Sequence, residues 1–150
     1  MHPMLTQTLI KLFTRDLNTL KTEVNSYKDE KNLWLVAKYI SNSAGNLCLH
    51  LVGNLNHYIG ATLGDSGYVR QRDLEFSLKD IPKSDLIKQI NGTIDVVENT
   101  LSNLTEEDLL KEYKRRVFED TMTTAYFLVH LSMHLAYHLG QINYHRRLLD

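Results

Sequence analysis

Residues 127–149 read FLVHLSMHLAYHLGQINYHRRLL, and this run combines an apolar helical stripe with a histidine repeat. His130, His134 and His138 are spaced four residues apart, which is a little more than one turn of an α-helix. Large apolar side chains recur on one side of the same run: Phe127, Leu131, Leu135, Ile142 and Leu149. The pattern predicts a long helix, running approximately from Thr123 to Leu149, with imidazoles beside its core-facing side.

Three further segments show the same helical periodicity. The first runs approximately from Met4 to Tyr27, the second from Ser43 to Leu63, and the third begins after Pro82. Residues 41–43 offer N-caps to the second helix, and Ser84 offers one to the third, because short hydroxyl and amide side chains bind free N–H groups at helix starts. Four amphipathic helices of these lengths predict a helical bundle.

The connection between the second and third helices is long, about 20 residues, and such loops often serve a function or a crossover. Gly64 to Gly67 is typical of a turn, and Asp73 to Pro82 of an irregular link. Thr105 and Asp108 have the spacing of a capping box for a short helix. We therefore expect an all-α protein: one four-helix-bundle domain over residues 1–150, with a long connection between helices 2 and 3.

Charge, hydropathy and cysteine content exclude several classes of function. The formal net charge of -1 argues against a nucleic-acid partner, because phosphates are neutralised by a basic surface. No apolar run approaches about 18 residues, so no membrane partner is expected. Residues 1–4 lack the basic start of a signal peptide. Cys48 is the only cysteine, which excludes a disulfide within the chain and favours a reducing cytoplasm.

Two histidines of the last helix are placed to bind one metal ion. On a helical wheel, His138 falls at about 20° and His134 at about 340° from the first apolar residue, so both border the core. Unpaired imidazoles in a core are costly, and a shared metal satisfies them together. The second helix offers a third ligand from a polar ribbon beside its apolar face. His50 is favoured because it lies mid-helix, as His134 does, and His57 is the alternative.

Two common metal chemistries do not match this pattern. Leu135 stands where a His-Glu-x-x-His zinc protease carries its glutamate, so the general base of that class is absent. A di-iron centre needs inward carboxylates on several helices, and the second and fourth predicted helices offer none. The sequence therefore favours a histidine-only site.

The last helix carries the motif His134-x-x-x-His138-x-Gly-Gln141-Ile, and an earlier helix carries His50. In order, spacing and helix length, nearly the whole chain resembles the DinB/YfiT-like superfamily of four-helix bundles. The resemblance implies a divalent metal ion, often zinc or nickel, held by His50, His134 and His138. Homodimers are frequent in that superfamily, so we expect a homodimer.

Characterised members of the superfamily include thiol-dependent S-transferases and a maleylpyruvate isomerase. The resemblance thus implies a metal-dependent transferase or hydrolase that acts on a small molecule, with a low-molecular-weight thiol as a partner. His57, Asn54 and Gln141 are the candidates to orient ligands or to move protons. Leu135 and Leu139 stand where relatives often carry Glu and Arg. The alternatives are a non-catalytic metal-binding stress-response dimer and a metal-free helical interaction module.

Overall fold

The computed structural model describes residues 3–150, and this part of the chain is all-α. Met1 and His2 lie outside the described residues. They belong to residues 1–4, where the sequence predicts no signal peptide. Between residues 3 and 150 there is no β-strand, and an isolated bridge pairs Glu112 with Thr123. Over the same range, the search for a helix both long and apolar enough to cross a membrane finds none.

The first half of the fold contains the first two predicted helices. Helix α1 spans Met4–Ser26 and is followed by a short 3₁₀ helix, Glu30–Trp34. Helix α2 spans Ala44–Leu55 and continues without a break through a π-helical segment, Asn56–Ala61, into the last turn α3, Thr62–Gly64. These three pieces together occupy the predicted second helix, but the π segment changes its hydrogen-bond register.

The second half contains two long helices and two short ones. Helix α4 spans Arg72–Ser77, α5 spans Lys83–Ser102, α6 spans Glu106–Leu110 and α7 spans Thr124–Leu149. The prediction of an irregular link from Asp73 to Pro82 is wrong over its first half, because α4 forms there. The long connection therefore contains a helix that packs against α2.

Local polar contacts set where several helices begin. Ser43 is the N-cap of α2, as one of the predicted caps. The predicted capping box of Thr105 and Asp108 is present at the start of α6 and confirms that short helix. The prediction of Ser84 as a cap is wrong: Pro82 is the N-cap of α5, and Ser84 already lies inside the first turn.

The packing of the helices brings α2 and α7 side by side. Helix α1 packs against α5 and α7, while α2 packs against α4, α5 and α7. The largest fully buried apolar side chains come from all four long segments and include Phe13, Leu17, Leu51, Leu86 and Phe127. Their burial drives the assembly, since each buried side chain of this size contributes about 1.5–3 kcal/mol. Because α2 and α7 are neighbours, their histidines face a common space.

Candidate metal centre

Three imidazoles converge where α2 meets α7. One nitrogen from each of His50, His134 and His138 lies within 4.8 Å of the other two. Nε2 of His50 and Nε2 of His134 are 3.3 Å apart. Two nitrogens bound to one tetrahedral zinc ion would be separated by about 3.3–3.4 Å, given Zn–N bonds of about 2.0–2.1 Å. The spacing of these two nitrogens therefore fits a shared divalent ion.

His50 is buried in α2, and its ring is held from behind by a carboxylate. Its Nδ1 donates to Oε1 of Glu75 at 3.0 Å. Glu75 in turn accepts from Nε and Nη2 of Arg70, each at 2.9 Å. An ionised carboxylate only accepts hydrogen bonds, so in a neutral His50 the proton is on Nδ1. The lone pair of Nε2 is then directed towards His134, as a metal ligand requires.

Helix α4 delivers Glu75 because α2 leaves a gap for it. A Cβ atom on Gly53 would lie 2.6 Å from Cδ of Glu75, so only glycine leaves room for the carboxyl group. The amide of Asn46 donates to the carbonyls of Glu75 and Leu78, at 3.0 and 2.8 Å, and fixes α4 against α2. Asn46 thus holds the backbone of α4 against α2, and the hydrogen bonds with His50 and Arg70 hold the carboxylate itself.

The two histidines of α7 have different surroundings. His138 is half-buried, and its Nδ1 donates to Oε1 of Gln141 at 2.7 Å, which leaves Nε2 unprotonated in the neutral ring. Nδ1 of His134 is buried and has no hydrogen-bond partner within residues 3–150. Burying an imidazole with one unsatisfied nitrogen destabilises the folded protein. A metal ion bound to the other nitrogen of His134 would offset this loss. The residues present therefore fit a divalent metal ion.

Burial and hydrogen bonding set the protonation states of Glu75 and of the two α7 histidines. Burial lowers the pKa of His134 to about 4, and the neighbouring rings of His138 and His50 act in the same direction. Burial also lowers the pKa of His138, against the opposing hydrogen bond to Gln141. Burial raises the pKa of Glu75, but hydrogen bonds from His50 and Arg70 outweigh it and lower that pKa overall. At neutral pH the carboxylate is ionised and the two α7 imidazoles are neutral.

The other predicted site residues are divided between this group and its surroundings. Gln141 contacts the group directly through His138. Asn54 is buried on the lining of an adjoining cavity, and its Oδ1 has no hydrogen-bond partner within the described chain. His57 is not a member of the three-histidine group: its ring packs on Tyr58, with ring centroids 4.8 Å apart. Of the two alternatives for a third ligand, the structure places His50 beside the α7 pair.

Sequence reasoning missed Glu75 and Arg70, because the segment before α5 was interpreted as irregular. Two signals were available. Residues 71–78 contain neither Gly nor Pro and carry apolar side chains four residues apart. Gly53 interrupts a run of large apolar residues in α2, and a glycine within a helix often marks the close approach of another group.

One family model matches nearly the whole chain. Residues 5–150 match the family described as "Protein of unknown function (DUF1572)". Since the match spans nearly the full length, the chain belongs to this family. Comparison with curated proteins finds no relative that matches the chain.

Proposed function

We propose that this chain is a metal-dependent enzyme of the DinB-like type, a four-helix bundle that holds zinc or nickel through His50, His134 and His138. The proposed activity is that of a transferase or hydrolase acting on a small molecule, with a low-molecular-weight thiol as the partner. One observation carries the proposal: Nε2 of His50 and of His134 lie 3.3 Å apart, while Glu75 holds the outer nitrogen of His50.

Three histidine ligands would leave a bound divalent ion a coordination position for a water or a small ligand. A divalent ion bound there supplies Lewis acidity towards a water or a thiol near neutral pH. The chain's own residues set the geometry. Glu75 fixes the tautomer of His50, and Gln141 orients His138. Asn54 lies in the same cavity lining as His50 and His134, and His57 is outside the three-histidine group.

Access to the three histidines supports an enzyme over a closed structural site. A cavity of about 190 Å³ is lined by His50 and His134. On another side, a groove of about 570 Å³ is lined by His138 and Gln141. A purely structural zinc site is closed by four protein ligands, whereas these imidazoles border open space on two sides.

Two further parts of the proposal concern assembly and location. Helix α7 exposes a stripe of large apolar side chains: Met133, Tyr137, Tyr144 and Leu148. Exposed apolar stripes of this kind mark interaction surfaces, which supports the proposed homodimer. Cys48 is buried and unpaired, and a chain that uses no disulfide suits the proposed cytoplasmic location.

Metal analysis of protein purified without a histidine tag and without chelators tests the proposal. We expect about one zinc or nickel ion per chain in the wild type and in His57→Ala, and loss of the ion in His138→Ala. His57→Ala is the matched control, because it removes an imidazole outside the group. A metal content that is near zero, or that is equal in all three proteins, would contradict the site.

The cobalt-substituted protein separates an enzyme from a storage or structural site. We expect its visible spectrum to change on addition of 2-mercaptoethanol, because a thiol enters the open position. A tetrahedral spectrum that does not respond to the thiol would contradict the enzyme and favour the non-catalytic metal-binding dimer.

A further inference from the structure

The outward face of α7 lacks the charged residues that solvent-facing helix surfaces normally carry. Residues 124–145 contain no Asp, Glu, Lys or Arg. The inner side of α7 packs on α1 and α2, and the opposite side is exposed. A surface helix usually has charged and polar residues on its outer side, whereas a helix that is apolar all round is buried. The composition of α7 therefore indicates that another protein surface covers its outward face.

The exposed tyrosines of this face offer much of the area that a stable interface needs. Tyr126, Tyr137 and Tyr144 are 63%, 66% and 64% exposed. Tyr39, on a loop that lines the same groove as Tyr137 and Tyr144, is 92% exposed. Since a buried aromatic residue removes about 150–250 Å² from water, the four tyrosines offer on the order of 500 Å² per chain. A standard interface buries about 800 Å² per partner, so the tyrosines alone supply more than half of one.

The large apolar side chains of the face are arranged symmetrically about Gly140. Tyr137 lies three residues before it and Tyr144 four residues after it. Met133 lies seven residues before it and Leu148 eight residues after it. At about 100° per residue, the four side chains fall within about 60° of one another on the helix. Two antiparallel copies of α7 that cross beside Gly140 therefore place Tyr137 opposite the partner's Tyr144. They also place Met133 opposite the partner's Leu148. Because such reciprocal pairs define a two-fold interface, the spacing favours a second copy of this chain as the partner.

Gly140 leaves room for the close approach of a second helix. It is exposed, and outside its own helix backbone no atom of the described chain lies within 4 Å of the position that a Cβ would occupy. Packing within one chain therefore does not require glycine here, although glycine inside a helix is destabilising relative to alanine. The axes of packed helices lie about 8–10 Å apart, depending on the side chains at the contact, and glycine permits the shortest of these distances. A close helix crossing gives Gly140 a role that the single chain does not.

The groove beside the histidine group lies at this crossing. Its volume is about 570 Å³, and Tyr137, His138 and Tyr144 line it along α7, opposite the loop of residues 37–42. This part of α7 spans about 10 Å, at about 1.5 Å per residue, and Gly140 lies in its middle. A helix that crosses beside Gly140 therefore covers the part of the groove next to His138.

We propose that two copies of this chain pair through antiparallel α7 helices that cross beside Gly140, and that the partner's Tyr137 closes the groove beside His138. In this arrangement Tyr144 packs against the partner's Tyr137 on both sides of the two-fold axis. The groove next to each His138 is then lined by residues of both chains. This inference deepens the proposed function: it rests on the proposed homodimer and gives the partner chain a place in the site.

Sedimentation velocity of the full-length chain and of two glutamate variants tests the pairing. Gly140→Glu places a carboxylate at the crossing, where pairing would bury it without a cation, and should weaken dimerisation at least about 100-fold. Gly92→Glu is the matched control, because Gly92 lies on α5 and its Cβ position is equally free of neighbours within 4 Å. Circular dichroism checks that both variants fold. A monomeric wild type, or equal weakening of the dimer by the two variants, would overturn the proposal.

Cysteine cross-linking tests the antiparallel register. Cys48 is the only native cysteine and is buried, so it does not compete with introduced thiols. When one chain carries Tyr137→Cys and a co-expressed chain carries Tyr144→Cys, we expect oxidation to join the two chains. The second tyrosine pair of this mixed dimer stays intact. Either variant alone should form no cross-link, because its two copies lie about seven residues apart along the helices, which is about 10 Å and too far for a disulfide. Cross-linking of each variant with itself, or a mixed dimer that forms no disulfide, would overturn the proposal.

Metal analysis of the same proteins separates this inference from the proposed metal centre. Gly140→Glu should be a monomer that retains about one metal ion per chain, because Gly140 is outside the three-histidine group. A metal-free dimer that forms the mixed cross-link would end the proposed metal centre and leave this interface standing. A metal-binding dimer that forms no mixed cross-link would overturn this interface alone.

Discussion

The carboxylate of Glu75 lies 3.0 Å from Nδ1 of His50, on a helix that the sequence did not predict. It reaches that position through the gap that Gly53 leaves in α2. Hydrogen bonds from behind orient a metal-binding histidine and fix its tautomer. The missing side chain at Gly53 therefore affects the proposed metal centre through Glu75. Substitutions at Gly53 and at Glu75 both test this relationship.

Adding a methyl group at Gly53 should damage the site. In Gly53→Ala the new Cβ would lie 2.6 Å from Cδ of Glu75, so the carboxylate must shift and its hydrogen bonds to His50 and Arg70 are disturbed. We expect a stability loss of about 1–3 kcal/mol from overpacking and a loss of zinc affinity of about 10–100-fold. Urea unfolding and competitive zinc titration measure the two effects.

Gly92→Ala is the control for that substitution. Gly92 lies in the exposed middle of α5, and a Cβ there meets no atom within 4 Å. The substitution should stabilise the protein by about 0.5–1 kcal/mol, because alanine is the better helix former. If both variants keep wild-type zinc affinity, Gly53 has no part in positioning Glu75.

The two hydrogen-bond partners of the histidines should differ in importance. Glu75→Gln removes the ionised acceptor from a buried site and leaves Arg70 unpaired. We expect zinc affinity to fall about 10–100-fold and stability to fall by about 3 kcal/mol. Gln141→Ala should change affinity by less than about threefold, because Gln141 is exposed and water replaces its oxygen. A larger loss from Gln141→Ala than from Glu75→Gln would reverse this ranking.

Zinc should stabilise the folded protein through the three histidines alone. At a free zinc concentration of about 100 times the Kd, binding adds about 2.7 kcal/mol. For a chain of this size that raises the Tm by about 5–10 °C. Differential scanning calorimetry should show this rise in the wild type and its absence in His138→Ala. A similar rise in both proteins would indicate zinc bound elsewhere on the chain.

A separate ion pair predicts how stability depends on pH. Glu23 accepts hydrogen bonds from Nε of Arg146 and Nδ2 of Asn143, each at 2.7 Å. Burial raises the pKa of Glu23, but these bonds and the charge of Arg146 outweigh it, so its pKa is lowered from the ordinary 4.5. Because the pKa of Glu23 is lowered in the folded state, its ionised carboxylate stabilises the fold above pH 4.5. This contribution is lost as the pH falls through the lowered pKa of Glu23.

Glu23→Gln tests that pH dependence. The variant should be less stable than the wild type at about pH 7, and the difference should shrink in acid as the wild-type carboxylate is protonated. Urea midpoints measured across the acid range provide the comparison. Glu119→Gln, an exposed carboxylate without an ion pair in residues 3–150, should show no such trend. A difference for Glu23→Gln that is constant with pH would refute the assignment.

The long helices were predictable because each one buries an apolar stripe over many turns. Residues 127–149 are the clearest case: the wheel placed His134 and His138 at the edge of the core, and the structure has both half-buried there. The terminal residues of α1 and α7 differ from the predicted ones by a single residue. Long periodic segments are easier to predict as helices, because many apolar residues recur on the same face.

Helix α4 and its carboxylate were not predictable in this way. A helix of six residues is not stable by itself, and α4 exists because Asn46 binds its last carbonyls and Gly53 admits Glu75. Those contacts join residues more than 20 positions apart, as Asn46 and Glu75 show with a separation of 29. Residues 71–78 carry local signals for a short helix, but no local pattern shows which distant residues that helix contacts.

The choice between His50 and His57 also needed the structure. A regular wheel placed the two rings within about 20° of each other. The chain changes from α to π geometry at Asn56, immediately before His57. His57 lies about two turns further along the helix axis than His50, so the two rings are not level with each other beside α7. His50 lies before the change and keeps its predicted direction towards α7.

Anomalous diffraction at the metal absorption edge, on crystals of tag-free protein purified without chelators, tests the central claim most directly. We predict one strong peak about 2.0–2.2 Å from Nε2 of His50, His134 and His138, with Nδ1 of His50 still bonded to Glu75. Absence of a peak at this position, with the three rings turned away from one another, would contradict the metal centre and the enzyme proposed from it.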